Sequence, residues 1–485
     1  MAMDDHNPNP NRSADYSRRL HSEIALTRRL QALIARPGQI VNLLLLFFFS
    51  AAWIRDFLYW IPKDAFGTGL DYWTYTGWLI DYSQGFIRRG LSGEIWRLVP
   101  AAIPPLEFVA VFSWVLILVV AFSYVRFLAR FWKDYHPLTL FGLLFLPSLF
   151  MFYIHDHGGI ARQEILGYLT VILHLVIIEK TLPLGGGPGL SDADMKRYLL
   201  WLIPVAVILL PVLILVHEGY FLLFVPLHGM ITLTILRMKM PRGFVRAALW
   251  AGLLYLPAAV AFGAVYLSGT PGYPALLGIC NKWAAAGALR ESTCVLPPDK
   301  LSGSTLPGGF NPMQWTLGIA AKITFMIISM KWVAWLEILP VLGICLWYLV
   351  RQGLYSILLA QPVQAFHPQT AKRSIGAFFG KYFIIPLVLS LPIYLTAYDY
   401  GRWLTVTGIN FAMLAVSANL PWREYLLRIK ESDEVCSRAD CPKHLDGRWG
   451  FTIVSTAILI LALVLWLPHY CLFSCEIVRS PLEFF

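Results

Sequence analysis

Along the chain, apolar runs of roughly 18 to 25 residues alternate with short polar turns, and a helix of that length crosses roughly 30 Å of hydrocarbon. The runs 39–61, 106–131, 137–154, 164–181, 198–216, 219–236, 245–267, 333–350, 376–397, 402–419 and 451–469 read as such helices. The pattern predicts an all-α polytopic membrane protein with about eleven transmembrane helices, since a helix satisfies its own backbone in lipid. Segment 315–331 is a candidate for one more, and 198–236 can be divided in more than one way around His217 and Glu218. The domain layout is then a polar N-terminal segment 1–38, a transmembrane domain 39–469 with large loops 62–105 and 268–332, and a C-terminal tail 470–485.

Composition agrees with that reading. Of 485 residues, 57% are hydrophobic and 14% charged, against about 25% charged in soluble proteins. A net charge of +10 raises nucleic acid as a partner, but the basic residues sit in turns between apolar runs, as Arg237, Lys239, Arg242 and Arg246 do. Membrane lipid is therefore the expected partner and nucleic acid is not. Residues 1–38 carry Arg18, Arg19, Arg28 and Arg29 and no apolar leader. The N-terminus is expected in the cytoplasm of an inner-membrane protein. Counting from there puts turns 131–136, 182–197, 237–244, 351–375 and 420–450 inside, and they hold 15 of the remaining 33 Lys and Arg.

Loops 62–105 and 268–332 fall outside and are rich in Trp, Tyr, Gly and Pro. Within the first, 72–80 and 91–99 read as short interfacial helices. Cys280 and Cys294 can form a disulfide on that side, as can Cys471 and Cys475. Cys345 reads as a core thiol; Cys436 and Cys441, with His444 nearby, resemble half of a zinc site but are one ligand short of the tetrahedral set, so free thiols on a polar loop are the expectation there. The Gly185–Gly189 stretch lacks the lysine and strand of a phosphate loop.

Four charged clusters border the apolar runs, and all four fall on the outer side. Charge at a bilayer edge marks a functional site by default. The first runs from Asp81 through Arg88 and Arg89 to Glu94; its paired guanidiniums, flanked by glycines, suit bidentate phosphate recognition. Neighbouring side chains diverge on a helix, so one arginine is expected on substrate and the other on Asp81 or Glu94. The second holds His155, Asp156, His157, Arg162 and Glu164; no cofactor is fixed by it, and a divalent ion is one ligand its donors allow. His217 with Glu218 offers an acid beside an imidazole, either a general-base pair or a partner for an arginine. Asp399 and Arg402 form the fourth, either part of the site or a local ion pair.

Arginines hold a phosphate and stabilise a charged leaving group while a carboxylate takes a proton from an acceptor hydroxyl. A polyprenyl-phosphate-linked sugar donor and a saccharide acceptor match these groups. The layout resembles the GT-C superfamily of integral-membrane glycosyltransferases and, more loosely, bacterial surface-polysaccharide polymerases: a long first outer loop with interfacial helices and an acid, and a second acid after the third span. The resemblance covers about residues 39–240 and is one of layout; the first loop has no Asp-Glu or Asp-x-Asp pair. It implies Asp56, Asp64, Asp71 or Asp81 as the first acid and Asp156 as the second. The stretches 85–90 and 399–403 are also similar to those of bacterial envelope-polysaccharide proteins. The reading assigns chemistry to Asp81, Asp156, His217 and Glu218, and substrate binding to Arg88, Arg89, Arg162, Glu164, Asp399 and Arg402. Two other classes fit the same charges: a flippase for a lipid-linked saccharide or other anion, and a non-catalytic part of an envelope assembly complex.

Overall fold

The computed structural model describes residues 37–65, 77–99, 103–130, 132, 133, 135, 137–145, 149, 150, 153, 162–182, 190–240, 243–269, 273–286, 378–396 and 400–417. The expected spans 333–350 and 451–469, the terminal segments 1–36 and 470–485, Asp71, Asp156, Asp399 and every cysteine except Cys280 lie outside them. In chain order the helices are α1 (Pro37–Ala65), α2 (Gly90–Trp96), α3 (Pro105–Ala129), α4 (Pro137–Phe145), α5 (Ile165–Thr181), α6 (Asp192–Val216), α7 (Gly219–Leu223), α8 (Val225–Lys239), α9 (Phe244–Ser268), α10 (Tyr273–Ala285), α11 (Gly380–Leu389), α12 (Leu391–Thr396) and α13 (Tyr400–Val416). No strand occurs among the described residues.

Four of these are long and apolar enough to cross a membrane: Pro37–Arg55, Glu107–Ala129, Asp192–Val216 and Phe244–Ser268. Gly380–Leu389 and Arg402–Val416 are shorter apolar helices. Each long helix exposes an apolar stripe, such as Leu249, Leu253, Leu256 and Val260 on α9. A helix apolar on every side needs a greasy surrounding.

Prolines explain where the helices depart from the uniform spans expected. The run 219–236 divides at Phe224 because Pro226 has no N–H to give. The run 376–397 divides at Ser390, two residues before Pro392, and the Ser390 hydroxyl caps the Pro386 and Leu387 carbonyls at 2.8 and 2.9 Å. Helix α6 is continuous but widens to a π-helix over Pro204–Leu209, where Pro204 removes a backbone donor. It also starts six residues before the expected 198: Ser191 caps it by accepting from the Asp194 amide, and Asp192 and Asp194 favour its positive end.

Helix α1 packs on α3 and α4, α5 on α3 and α6, and α9 against α6 and α8, around one apolar core that includes Trp53, Trp114, Tyr168 and Phe224. Polar ties define the two ends of the bundle. At one end Asn42 donates to the Trp132 and Tyr135 carbonyls at 2.6 and 2.8 Å, Arg130 pairs with Glu179 at 2.7 Å, and Lys239 pairs with Asp192 at 2.7 Å and caps Leu190 O. This end collects the described parts of three turns read as cytoplasmic, 131–136, 182–197 and 237–244; the other two, 351–375 and 420–450, lie outside the described residues. The opposite end gathers the starts of α3, α5 and α13, the ends of α6 and α9, and the 77–99 segment.

Candidate functional site

The 77–99 segment is built for close packing. Gly93 N–H donates to Ile80 O at 2.8 Å, and a Cβ on Gly93 would overlap the backbone there. Helix α2 therefore lies directly on the preceding chain, and its Trp96 joins Trp78, Phe108, Phe112 and Trp283 in a second apolar cluster. Gln163, just ahead of α5, donates to Gly77 O at 3.1 Å. Arg88 N–H donates to Gly269 O at 2.9 Å, tying the loop to the end of α9.

Arg89 then takes a left-handed conformation, φ 63°, ψ 6°. It is the one non-glycine residue with positive φ among those described, and the conformation costs about 1–2 kcal/mol. The turn redirects its side chain, so that both neighbours reach one carboxylate: Arg89 gives Glu218 two bonds, at 2.9 and 3.1 Å, and Arg88 adds one at 3.4 Å. The expected division, one arginine on Asp81 or Glu94, is replaced by this three-membered set. Glu94 instead holds Arg97 and the Tyr82 amide. Asp81, fully buried, pairs with Lys282 of α10 and accepts from the Ser83 amide. Burial raises the Asp81 carboxyl, but Lys282 and Ser83 outweigh it and hold it below the usual value.

His217 and Glu218 form the tight turn between α6 and α7. His217 is extended (φ −156°, ψ 116°), which ends α6 and turns its ring inward. Its Nδ1 accepts from the Gly219 amide at 3.0 Å, so the neutral ring carries its proton on Nε2, 3.2 Å from Glu164 Oε1. Burial, then the Arg89 charge, pulls His217 down to about 4, a neutral imidazole at physiological pH. Glu164 also receives Arg402, whose guanidinium lies over the Trp403 ring at 4.3 Å. Burial opposes ionisation of Glu164, yet Arg402, His217 and Arg162 hold it down at about 2. Arg162 is buried beside it. The second Glu164 oxygen, Oε2, is buried and accepts from no described residue. Glu218 lies well below its usual value against burial because of Arg89 and Arg88, and burial draws Arg88 down to about 10.

Seven of the ten residues assigned from sequence thus meet at one end of the bundle: Arg88, Arg89, Arg162, Glu164, His217, Glu218 and Arg402. Asp81 sits in the same segment but on Lys282. Asp156 and Asp399 lie outside the described residues, so the expected Asp399–Arg402 pairing does too. Sequence reasoning missed Lys282 and Gln163. Lys282 had a signal, a cation next to a tryptophan in the large loop 268–332, and it lies over the Trp283 ring at 5.6 Å. Gln163 stands between two assigned residues, Arg162 and Glu164. Cys280, two residues before Lys282 in α10, is disulfide-bonded; its expected partner Cys294 lies outside the described residues. Among the described residues no group of three or more His, Cys, Asp or Glu side chains could hold a metal ion, and the His155–His157 donors fall outside them. Comparison of the chain with protein-family models, with curated proteins and with solved structures finds no match.

Proposed function

We propose that this chain is a membrane-embedded glycosyltransferase, or polysaccharide polymerase, that takes a polyprenyl-phosphate-linked sugar at the outer face of the inner membrane. The observation that carries the reading is the gathering of Arg88, Arg89, Arg162 and Arg402 with Glu164, Glu218 and His217 at the end of the bundle away from the basic turns. Arg88 and Arg89 are the more open part, with side chains 14% and 20% exposed. A phosphate there shares the fork that Glu218 now occupies, and guanidiniums match its oxygens two at a time. Glu164 and His217 form the dry side, where Oε2 of Glu164 is buried and accepts from no described residue, which leaves its lone pairs for an acceptor hydroxyl once substrate enters. Asp81 and Asp156 are the carboxylates proposed to take the acceptor proton.

The test is reconstitution in vesicles with a radiolabelled polyprenyl-phosphate sugar and an oligosaccharide acceptor. Transfer by the wild type, lost in Arg89→Ala and Asp81→Asn proteins that still fold, supports the reading. Movement of intact lipid-linked saccharide between leaflets without transfer replaces it with transport.

A further inference from the structure

Below the ion cluster, a second polar group lies wholly inside the bundle. His174 on α5 and His228 on α8 face each other with Nδ1 atoms 2.8 Å apart and ring planes 1° apart. His228 Nε2 is 3.0 Å from Thr170 Oγ1, and His174 Nε2 is 2.8 Å from the Tyr198 hydroxyl of α6. Tyr198 reaches Thr232 of α8 at 3.4 Å, and Thr232 reaches Tyr255 of α9 at 2.8 Å. All six side chains are buried. No Lys, Arg, Asp or Glu among the described residues bonds to any of them; the groups facing the two rings are Thr170, Tyr198, Thr232 and Tyr255. On α5 itself the nearest charges are Glu179, held by Arg130, and Lys180, five and six residues from His174 and about 8 Å along the axis, while Glu164 of the ion cluster is ten residues and about 15 Å away.

One bond fixes the direction of all the others. Thr170 Oγ1 donates its single hydrogen to Gly167 O at 2.7 Å, so it must accept from His228 Nε2–H. His228 Nδ1 is then the bare nitrogen and accepts from His174 Nδ1–H. That leaves His174 Nε2 bare, accepting from Tyr198. With both rings neutral, every ring nitrogen is satisfied.

We infer that the His174–His228 pair is a binding site for one proton. A hydronium ion gives its proton to His174 Nε2 and becomes water, and the Tyr198 hydroxyl rotates to accept from that new N–H and to donate to Thr232, whose oxygen has a second lone pair. The charge is shared across Nδ1–H···Nδ1, and the His228 bond to Thr170 is untouched. A second proton has no place. It would set two N–H groups against each other across 2.8 Å. The site goes beyond the sugar-transfer reading and stands without it.

The test is nitrogen NMR of the full-length protein, histidine-labelled with 15N, in lipid bilayers from pH 8 to pH 4. The expected spectrum shows a coupling between two imidazole nitrogens across one hydrogen, kept throughout the titration, and gain of a single proton by that pair. Thr170→Val, which removes one acceptor from the charged pair, lowers the midpoint by about one pH unit. Two neutral rings down to acid unfolding, or uptake of two protons, overturns the inference. The wild-type measurement decides it even where the variant does not fold.

Discussion

Arg89 reaches Glu218 through two hydrogen bonds, 2.9 and 3.1 Å, from a backbone conformation that ordinary side chains avoid. The strain and the ion pair belong together: a right-handed Arg89 would send its guanidinium away from the one Arg88 offers the same carboxylate.

Replacing Arg89 with Ala or with Gly separates the two. Both lose the ion pair, but Gly adopts the left-handed conformation freely and Ala does not. Arg89→Gly is expected to be more stable than Arg89→Ala by about 1 kcal/mol, read as a higher melting temperature in the same detergent.

Glu218→Gln leaves two guanidiniums facing an uncharged amide. Breaking a buried pair costs about 3–5 kcal/mol, and partial exposure of these side chains puts this one at the low end. Thermal unfolding should show the loss, and added inorganic phosphate should recover part of it if the arginines bind phosphate as proposed.

His217 makes stability depend on pH. Its folded value, about 4, lies below the 6.5 of the unfolded chain, so between those values the unfolded state holds the extra proton. Stability therefore falls as pH drops from 6.5 toward 4, by up to about 3 kcal/mol, and levels off below. In His217→Gln this contribution to the slope should be absent from unfolding curves taken across that window.

The two ends of the bundle should lie on opposite sides of a membrane. Cysteine placed at exposed Phe86 should react with an impermeant maleimide from outside, and cysteine at Ala193 only after permeabilisation. Labelling of both from one side would remove the topology on which the site's location rests.

The meeting of Arg88, Glu164, His217 and Arg402 was legible because apolar runs alternate the chain between two sides, and each cluster borders a run. The pairings were not. Nothing in an Arg-Arg dipeptide announces a left-handed second residue, and Glu164 could not be matched to Arg402, 238 positions away, without the packing of α5 on α13. The interior histidines were passed over as parts of apolar runs. They did leave a trace: Thr170 and His174, like His228 and Thr232, stand four apart on one helix face. The divided helices were foreshadowed by Pro226 and Pro392, whose weight a hydropathy pattern ignores.

The bond from Arg88 N–H to Gly269 O belongs to the main chain, so truncating side chains never tests it. An alanine scan would credit Arg88 with its guanidinium alone, because Arg88→Ala keeps the amide that moors the loop to α9. Only proline, or an ester in place of the peptide, cuts that mooring.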